Sequence, residues 1–182
     1  MRKNKSTLAV VLILVTLITL LTVGCDIDEP VLVDTNATQS ATNSSNQNTK
    51  KTFAVGETAQ LNDVQVCLVG VTESTGSSFN KPTEENVFVL CEFNITNNSN
   101  EDLAVSSMMS FEAYCDDYTC SFSFGALLEK GNKNQLDGTV AAGKKLNGVI
   151  GYEVPENWKE LEISFTPDVW SSKDITFVAK NN

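Results

Sequence analysis

The sequence predicts an all-β fold, an antiparallel sandwich or barrel, set behind an apolar leader and a polar tether. Three observations carry this. From Phe53 onward, short stretches alternate apolar and polar residues with period two, the spacing that sends successive side chains to opposite faces of a strand. Turn-forming clusters, such as "NNSNED" at 97–102 and "AAGKK" at 141–145, separate these stretches, as strands in a sandwich require. Helix-like words are confined to about one turn each, in "GALLEK" at 125–130 and around Glu156-Asn157-Trp158.

The amino end reads as a leader. Arg2, Lys3 and Lys5 precede an uncharged run from Thr7 to Val23, a basic start followed by an apolar core. The run has 17 residues, the short edge of what spans a hydrocarbon layer of ~30 Å. An uncleaved membrane anchor is therefore the alternative, although no basic cluster follows the run. The stretch Leu21-Thr22-Val23-Gly24-Cys25 resembles the lipobox of bacterial lipoproteins. That resemblance implies cleavage after Gly24, so that 1–24 is a lipoprotein signal peptide, and acylation of the Cys25 thiol. Two acyl chains hold a protein on a bilayer firmly where one binds reversibly. The expected location is the extracytoplasmic face of the cell membrane, reached through this lipid anchor.

Residues 25–51 are expected to be a disordered tether. The stretch 35–49, "TNATQSATNSSNQNT", holds only Thr, Asn, Ala, Gln and Ser, which cannot fill a core. From Cys25 to Phe53 the spacer is 28 residues, about 30 Å of typical reach for a flexible chain.

The folded domain is then 52–182. "VQVCLVGV" places Val64, Val66 and Leu68 on one face. "NVFVLCEFNITN" places Val87, Val89, Cys91, Phe93 and Ile95 on one face, with Phe88, Leu90, Glu92, Asn94 and Thr96 on the other. Further strands are expected at 103–106, 110–114, 120–124, 145–154, 161–165 and 176–179. Trp158 and Trp170 suit core or sandwich-end packing.

Composition removes several functions. The net charge is −10; losing 1–24 removes three of 13 positive charges and no negative one, leaving 10 against 23, or −13. Phosphate backbones and anionic bilayers repel such a chain, so nucleic acid is not an expected partner. The sequence contains no His. That excludes Ser-His-Asp and Cys-His catalysis and the two-imidazole copper sites of exported sandwiches. No cofactor and no metal is expected. Calcium finds its candidate ligands in the acidic pairs Glu84-Glu85, Glu101-Asp102 and Asp116-Asp117, which lack a spaced ligand loop. Met108-Met109 fits a strand end and core packing better than Cu(I).

Beyond Cys25 the chain has Cys67, Cys91, Cys115 and Cys120, an even set that permits disulfides outside the cytoplasm. Cys115 and Cys120 flank "DDYT", a hairpin-sized spacing, and are the favoured pair. Cys67 with Cys91 is the default for the rest. Reduced core thiols and a zinc site are the alternatives. Ser78-Phe79-Asn80-Lys81 spells S-x-x-K, the nucleophile–amine spacing of penicillin-recognising enzymes. It lies in a loop composition, ends at Pro82 and lacks the partner motifs, so a Ser-Lys hydrolase or transferase is the lesser reading and no catalytic residue is assigned.

The words "FAVGETAQLNDVQVCLVGV", "ENVFVLCEFNITNNSNEDLAVSS", "LDGTVAAGKKLNGVIGYEVPENWKELEISFTP" and "ITFV", in that order, resemble the bacterial domain of unknown function 4352, common in lipoproteins of Gram-positive bacteria. The resemblance covers about Thr52 to Lys180. It implies an immunoglobulin-like β-sandwich, similar to a small secreted mycobacterial antigen, with no agreed activity. An interaction module for an unknown protein or envelope partner is the expected function, with an extracytoplasmic metal or ligand binder as another alternative. The loops 72–85 and 116–119 are the first places to look for contact, since sandwich-end loops are usual binding sites.

Overall fold

In the computed structural model, which describes residues 29–33, 52–168 and 173–181, the strand Asn86–Asn97 is central. In chain order the elements are β1 (Val31–Leu32), β2 (Thr52–Ala54), β3 (Thr58–Leu61), β4 (Val64–Ser74), β5 (Asn86–Asn97), β6 (Leu103–Val105), β7 (Phe111–Cys115), β8 (Tyr118–Thr119), α1 (Phe124–Leu128), β9 (Gly138–Val140), β10 (Lys145–Pro155), β11 (Glu160–Phe165) and β12 (Ile175–Lys180). One five-stranded sheet has the order β1-β3-β4-β5-β10, and a second has β2-β12-β11-β7-β8. Among the described strands, β2 and β12 are the pair that runs parallel. A two-stranded ribbon, β6-β9, completes the set. The expected β-sandwich is the observed fold, and its core lies between the two main sheets.

The period-two pattern of β5 explains its central place. Val87, Val89, Cys91, Phe93 and Ile95 all enter the core between the sheets. On the outer face, Phe88 and Leu90 are also buried, because α1 covers them: Leu127 packs with Leu90 and Val149. Farther along, Glu92, Asn94 and Thr96 meet solvent and Lys133, where the sequence turns polar. Phenylalanines staple the sheets together. Phe93 of the first sheet meets Phe111 and Phe177 of the second at ring-centroid distances of 5.4 and 5.7 Å, within the range in which aromatic pairs attract.

A bulge between Leu68 and Gly70 resets the facing of β4. Val64, Val66 and Leu68 point inward as the alternation predicts; beyond the bulge Val71 takes the inward role and packs on the core. Glu73 then meets the indole of Trp158, whose Nε1 donates to Glu73 Oε1 at 2.6 Å. Trp158 is buried, as expected; Trp170 lies outside the described residues.

Two glycines in β10 admit a close neighbour. A Cβ on Gly151 would stand 2.7 Å from the Ala126 Cβ, and one on Gly148 would stand 3.0 Å from the Gln135 carbonyl oxygen. The segment 122–136 therefore lies tightly along β10: Ser123 N donates to Gly151 O at 2.7 Å, and Val149 N to Asn134 O at 2.9 Å. This corrects the strand expected at 120–124. Cys120 N still pairs with Ala113 O of the second sheet, at 2.8 Å, while Phe122 bridges to Tyr152 of the first. The chain is crossing between sheets there and has no room for a regular strand. Ser123 then caps α1, its Oγ accepting from Ala126 N at 3.2 Å, which satisfies a helix-start donor.

The expected tether is also modified. Val31 and Leu32 pair antiparallel with Gln60 and Ala59, and Val33 N donates to Thr58 O at 2.8 Å. These residues cover the open edge of β3, which blunts a surface prone to strand addition. The remaining tether residues, the leader and Cys25 lie outside the described residues. Among the described residues no helix is long and apolar enough to cross a membrane.

Candidate functional site

The strand registers define two poles. At one, Val64 faces Asn97 and Lys145 faces Thr96; at the other, Ser74 faces Phe88 and Pro155 faces Asn86. The second pole gathers the loop 75–85, the β7–β8 turn, Trp158 and the start of α1, and it holds the candidate site.

Loop 75–85 is fastened at several points. Gly76, at φ +78, is left-handed backbone that glycine tolerates at no steric cost, and its N–H donates to Ser74 Oγ at 3.0 Å. Ser77 N donates to Asn80 O at 2.7 Å. Asn80 Nδ2 donates to Gly125 O at 2.8 Å and to Glu129 Oε1 at 2.6 Å, tying the loop to α1. At its far end Thr83 N and Asn86 Nδ2 both donate to Glu153 Oε1, at 2.7 and 3.2 Å. The bonds from Thr83, then from Asn86, outweigh partial burial and hold the Glu153 carboxyl below its ordinary value of 4.5, since hydrogen bonds to a carboxylate favour its charged form. The fastened loop presents Phe79 fully exposed. The adjoining α1 exposes Phe124 at 66% and Leu128 at 73%. Apolar groups this exposed, on a loop and helix tied rigidly together, mark a contact surface.

Ser78 and Lys81 do not form a dyad. Ser78 sits in a bend, both side chains are exposed, and no hydrogen bond joins them. The helical turn that would bring an S-x-x-K amine to its hydroxyl is missing.

The β7–β8 turn is built from Asp116 and Asp117, at φ +47 and +69, the paired left-handed conformation of a two-residue hairpin. Asp116 is spoken for: its carboxylate accepts from Lys159 N at 3.0 Å and Glu160 N at 2.8 Å. With Asp117, Tyr114, Glu160 and Glu162 it lines a shallow acidic hollow of about 300 Å³. Among the described residues no three His, Cys, Asp or Glu side chains converge as metal ligands.

The structure corrects the thiol pairing. Cys67 lies on the outer face of β4 opposite Asn94, whereas Cys91 lies on the inner face opposite Val71. They stand three residues apart along the ladder, roughly 10 Å, on opposite faces of one sheet, and a disulfide needs Cα atoms within about 7 Å. Cys115 pairs with Tyr118 and Cys120 with Ala113, so these two are diagonal neighbours on the inner face rather than opposite partners. All four thiols are unbonded. Burial, then the neighbouring Asp116, pushes Cys115 up to about 11; burial, then Cys115, pushes Cys120 up to about 12. Burial, then Cys120, also raises Cys91. Protonated thiols are poor nucleophiles, so this inner cluster is chemically quiet at neutral pH.

Beside Cys120 opens a cleft of about 450 Å³, lined by Met108, Phe111, Tyr114, Phe122, Phe124 and Tyr152 among others. Met108 is exposed at its rim rather than packed in the core, as is Met109 nearby. At its floor the Tyr152 hydroxyl is buried without a hydrogen-bond partner. The period-two reading of β10 placed Tyr152 on a strand but carried no signal for an orphaned hydroxyl. Phe124 and Leu128 were likewise hidden in a helix-like word that reads as packing.

Two solved structures share this fold. YcdA of Bacillus subtilis, a candidate lipoprotein, aligns with TM-score 0.54 and 21% identity over 64% of this chain; the chain spans only 36% of YcdA. The YjhA protein of the same organism aligns with TM-score 0.52 and 17% identity, covering 71% of this chain and 98% of YjhA. No curated protein matches the chain. The family model for the Domain of unknown function (DUF4352) matches residues 53–175, and the chain belongs to that family.

Proposed function

We propose that the protein is a lipid-anchored extracytoplasmic module that binds an envelope or extracellular protein through the pole formed by loop 75–85 and α1. The observation that carries this reading is the loop with Phe79 outward, fastened through Asn80 to the helix that exposes Phe124 and Leu128. Ordering entropy is already spent before a partner arrives, which favours binding. Aromatic anchors on such a surface contribute most of the energy of an interface. The lipobox-like words around Cys25 and the acidic charge support an exported chain held on the membrane by acyl groups.

The test is capture by the immobilised chain from residue 26 onward, set against a Phe79→Ala, Phe124→Ala, Leu128→Ala triple variant. All three side chains are exposed, so the variant keeps the fold. The expected result is a protein retained by the first and lost by the second. Equal retention, or retention of nothing by either, refutes this surface.

A further inference from the structure

We infer that β1 shortens the lipid leash to six residues and thereby fixes which pole of the sandwich faces the bilayer. The inference rests on acylation of Cys25, proposed above. Val31 is the first residue paired with the sheet, and it is six positions after Cys25. Six residues span at most about 20 Å when fully extended. Without β1 the chain would run free to Thr52, and a 28-residue coil from Cys25 to Phe53 has a typical reach of about 30 Å and several times that when stretched.

The registers locate the attachment point. Val31 faces Gln60, Gln60 faces Gln65, and Gln65 faces Thr96. Thr96 is one residue from the end of β5, so Val31 is level with the pole that carries Asn62-Asp63 and the loop 98–102. The opposite end of β5 is Asn86, ten residues farther, or about 34 Å along an antiparallel strand. Turned end-on with that far pole toward the bilayer, the domain would hold Val31 about 34 Å above the membrane, beyond a leash of about 20 Å; a free 28-residue tether would allow it. Loop 75–85, α1 and the β7–β8 turn are therefore kept from being turned face-on to the membrane, which leaves that pole open to what lies beyond it. The near pole exposes Asp63, Glu101 and Asp102 together with Lys144 and Lys145, so it carries no basic surface to seat on anionic headgroups and faces them across the leash.

The chain beginning at Cys25 tests this in a Cys67→Ser background, which removes the thiol on the outer face and leaves the other three facing the core. Coupling Cys25 to a maleimide-headgroup lipid in phosphatidylcholine vesicles imposes the anchor, so the result does not depend on whether cells acylate Cys25. A donor dye on an azide-bearing residue at Asn100 or at Ser78, both exposed, is read by energy transfer to acceptor-labelled headgroups. The expected transfer is several-fold higher from position 100 than from 78. Val31→Pro with Val33→Pro, which removes N–H donors to β3, should bring the two positions toward equality. Equal transfer with β1 intact, or a difference that survives the double proline variant, overturns the inference. Failure to find acylated Cys25 in cells would instead remove the reading on which it rests.

Discussion

Tyr152→Phe deletes one oxygen from the core and should stabilise the protein. The hydroxyl is buried and has no partner, and the residue is 2% exposed. Leaving such a group unsatisfied costs about 1–3 kcal/mol relative to its hydrated state. The substitution keeps the ring, which belongs to the core between the two main sheets. What it adds is a void of hydroxyl size, a penalty of roughly 0.5 kcal/mol at about 24 cal/mol per Å³. The net expectation is a gain of about 1–2 kcal/mol, equivalent to about 4–8 °C in Tm for a domain of this size. Urea unfolding of the chain from residue 26, followed by tryptophan fluorescence, reads it directly, and the slope against urea should not change. A fall in stability of similar size would show that the hydroxyl is hydrogen-bonded in solution. The account of this cleft floor would then be wrong.

Gly151→Ala should cost about 1–3 kcal/mol through overpacking, because its Cβ meets Ala126 at 2.7 Å; hydrogen exchange should rise first in 122–130, and unchanged exchange there would contradict the packing of α1 on β10. Alkylation under native conditions should modify Cys67 well before Cys91 and Cys115, checked by peptide mass spectrometry, since those two are buried in the core and Cys67 lies on the outer face. The buried thiols also set a pH dependence. Their folded values lie above the ordinary 9.0, so the unfolded chain releases these protons first. Stability is therefore intact below about pH 9 and falls as pH rises toward 11, by at most ~1.4 kcal/mol per pH unit per thiol; a urea midpoint flat across that window would refute it. Glu153 has the opposite sign: its folded value is lowered from 4.5, so its fastening of Thr83 is present above that pH and is lost as pH falls through the folded value. Amide exchange at 82–86 should accelerate there, and Glu153→Gln should remove the acid dependence.

The strands β4, β5, β10, β11 and β12 were legible because each buries one face over many residues, so period two survives in the sequence. The outer face of β5 was legible too, since its change from Phe88 and Leu90 to Glu92 and Asn94 marks where α1 stops covering it. The strand expected at 120–124 failed for a physical reason: alternation there reflects a chain passing between two sheets, bonding Ala113 and then Tyr152, and apolar periodicity does not distinguish that from a strand. β1 escaped because a two-residue strand has no period, and its partner edge lies 27 or more residues away. The Cys67–Cys91 pairing failed because spacing along the chain says nothing about which face a side chain takes, and these two take opposite faces of adjacent strands. The candidate surface was half legible. Loop 75–85 could be found from its length, but the bonds from Asn80 to α1 and from Thr83 to Glu153 that make it rigid join residues far apart in sequence.

The lipid on Cys25 is the claim on which location and orientation both depend. Intact-mass and amino-terminal peptide spectrometry of the protein extracted from membranes tests it in one measurement. The account predicts a chain beginning at Cys25 with a diacylglyceryl group on its sulfur. A chain that retains residues 1–24 with an unmodified Cys25 thiol would contradict it.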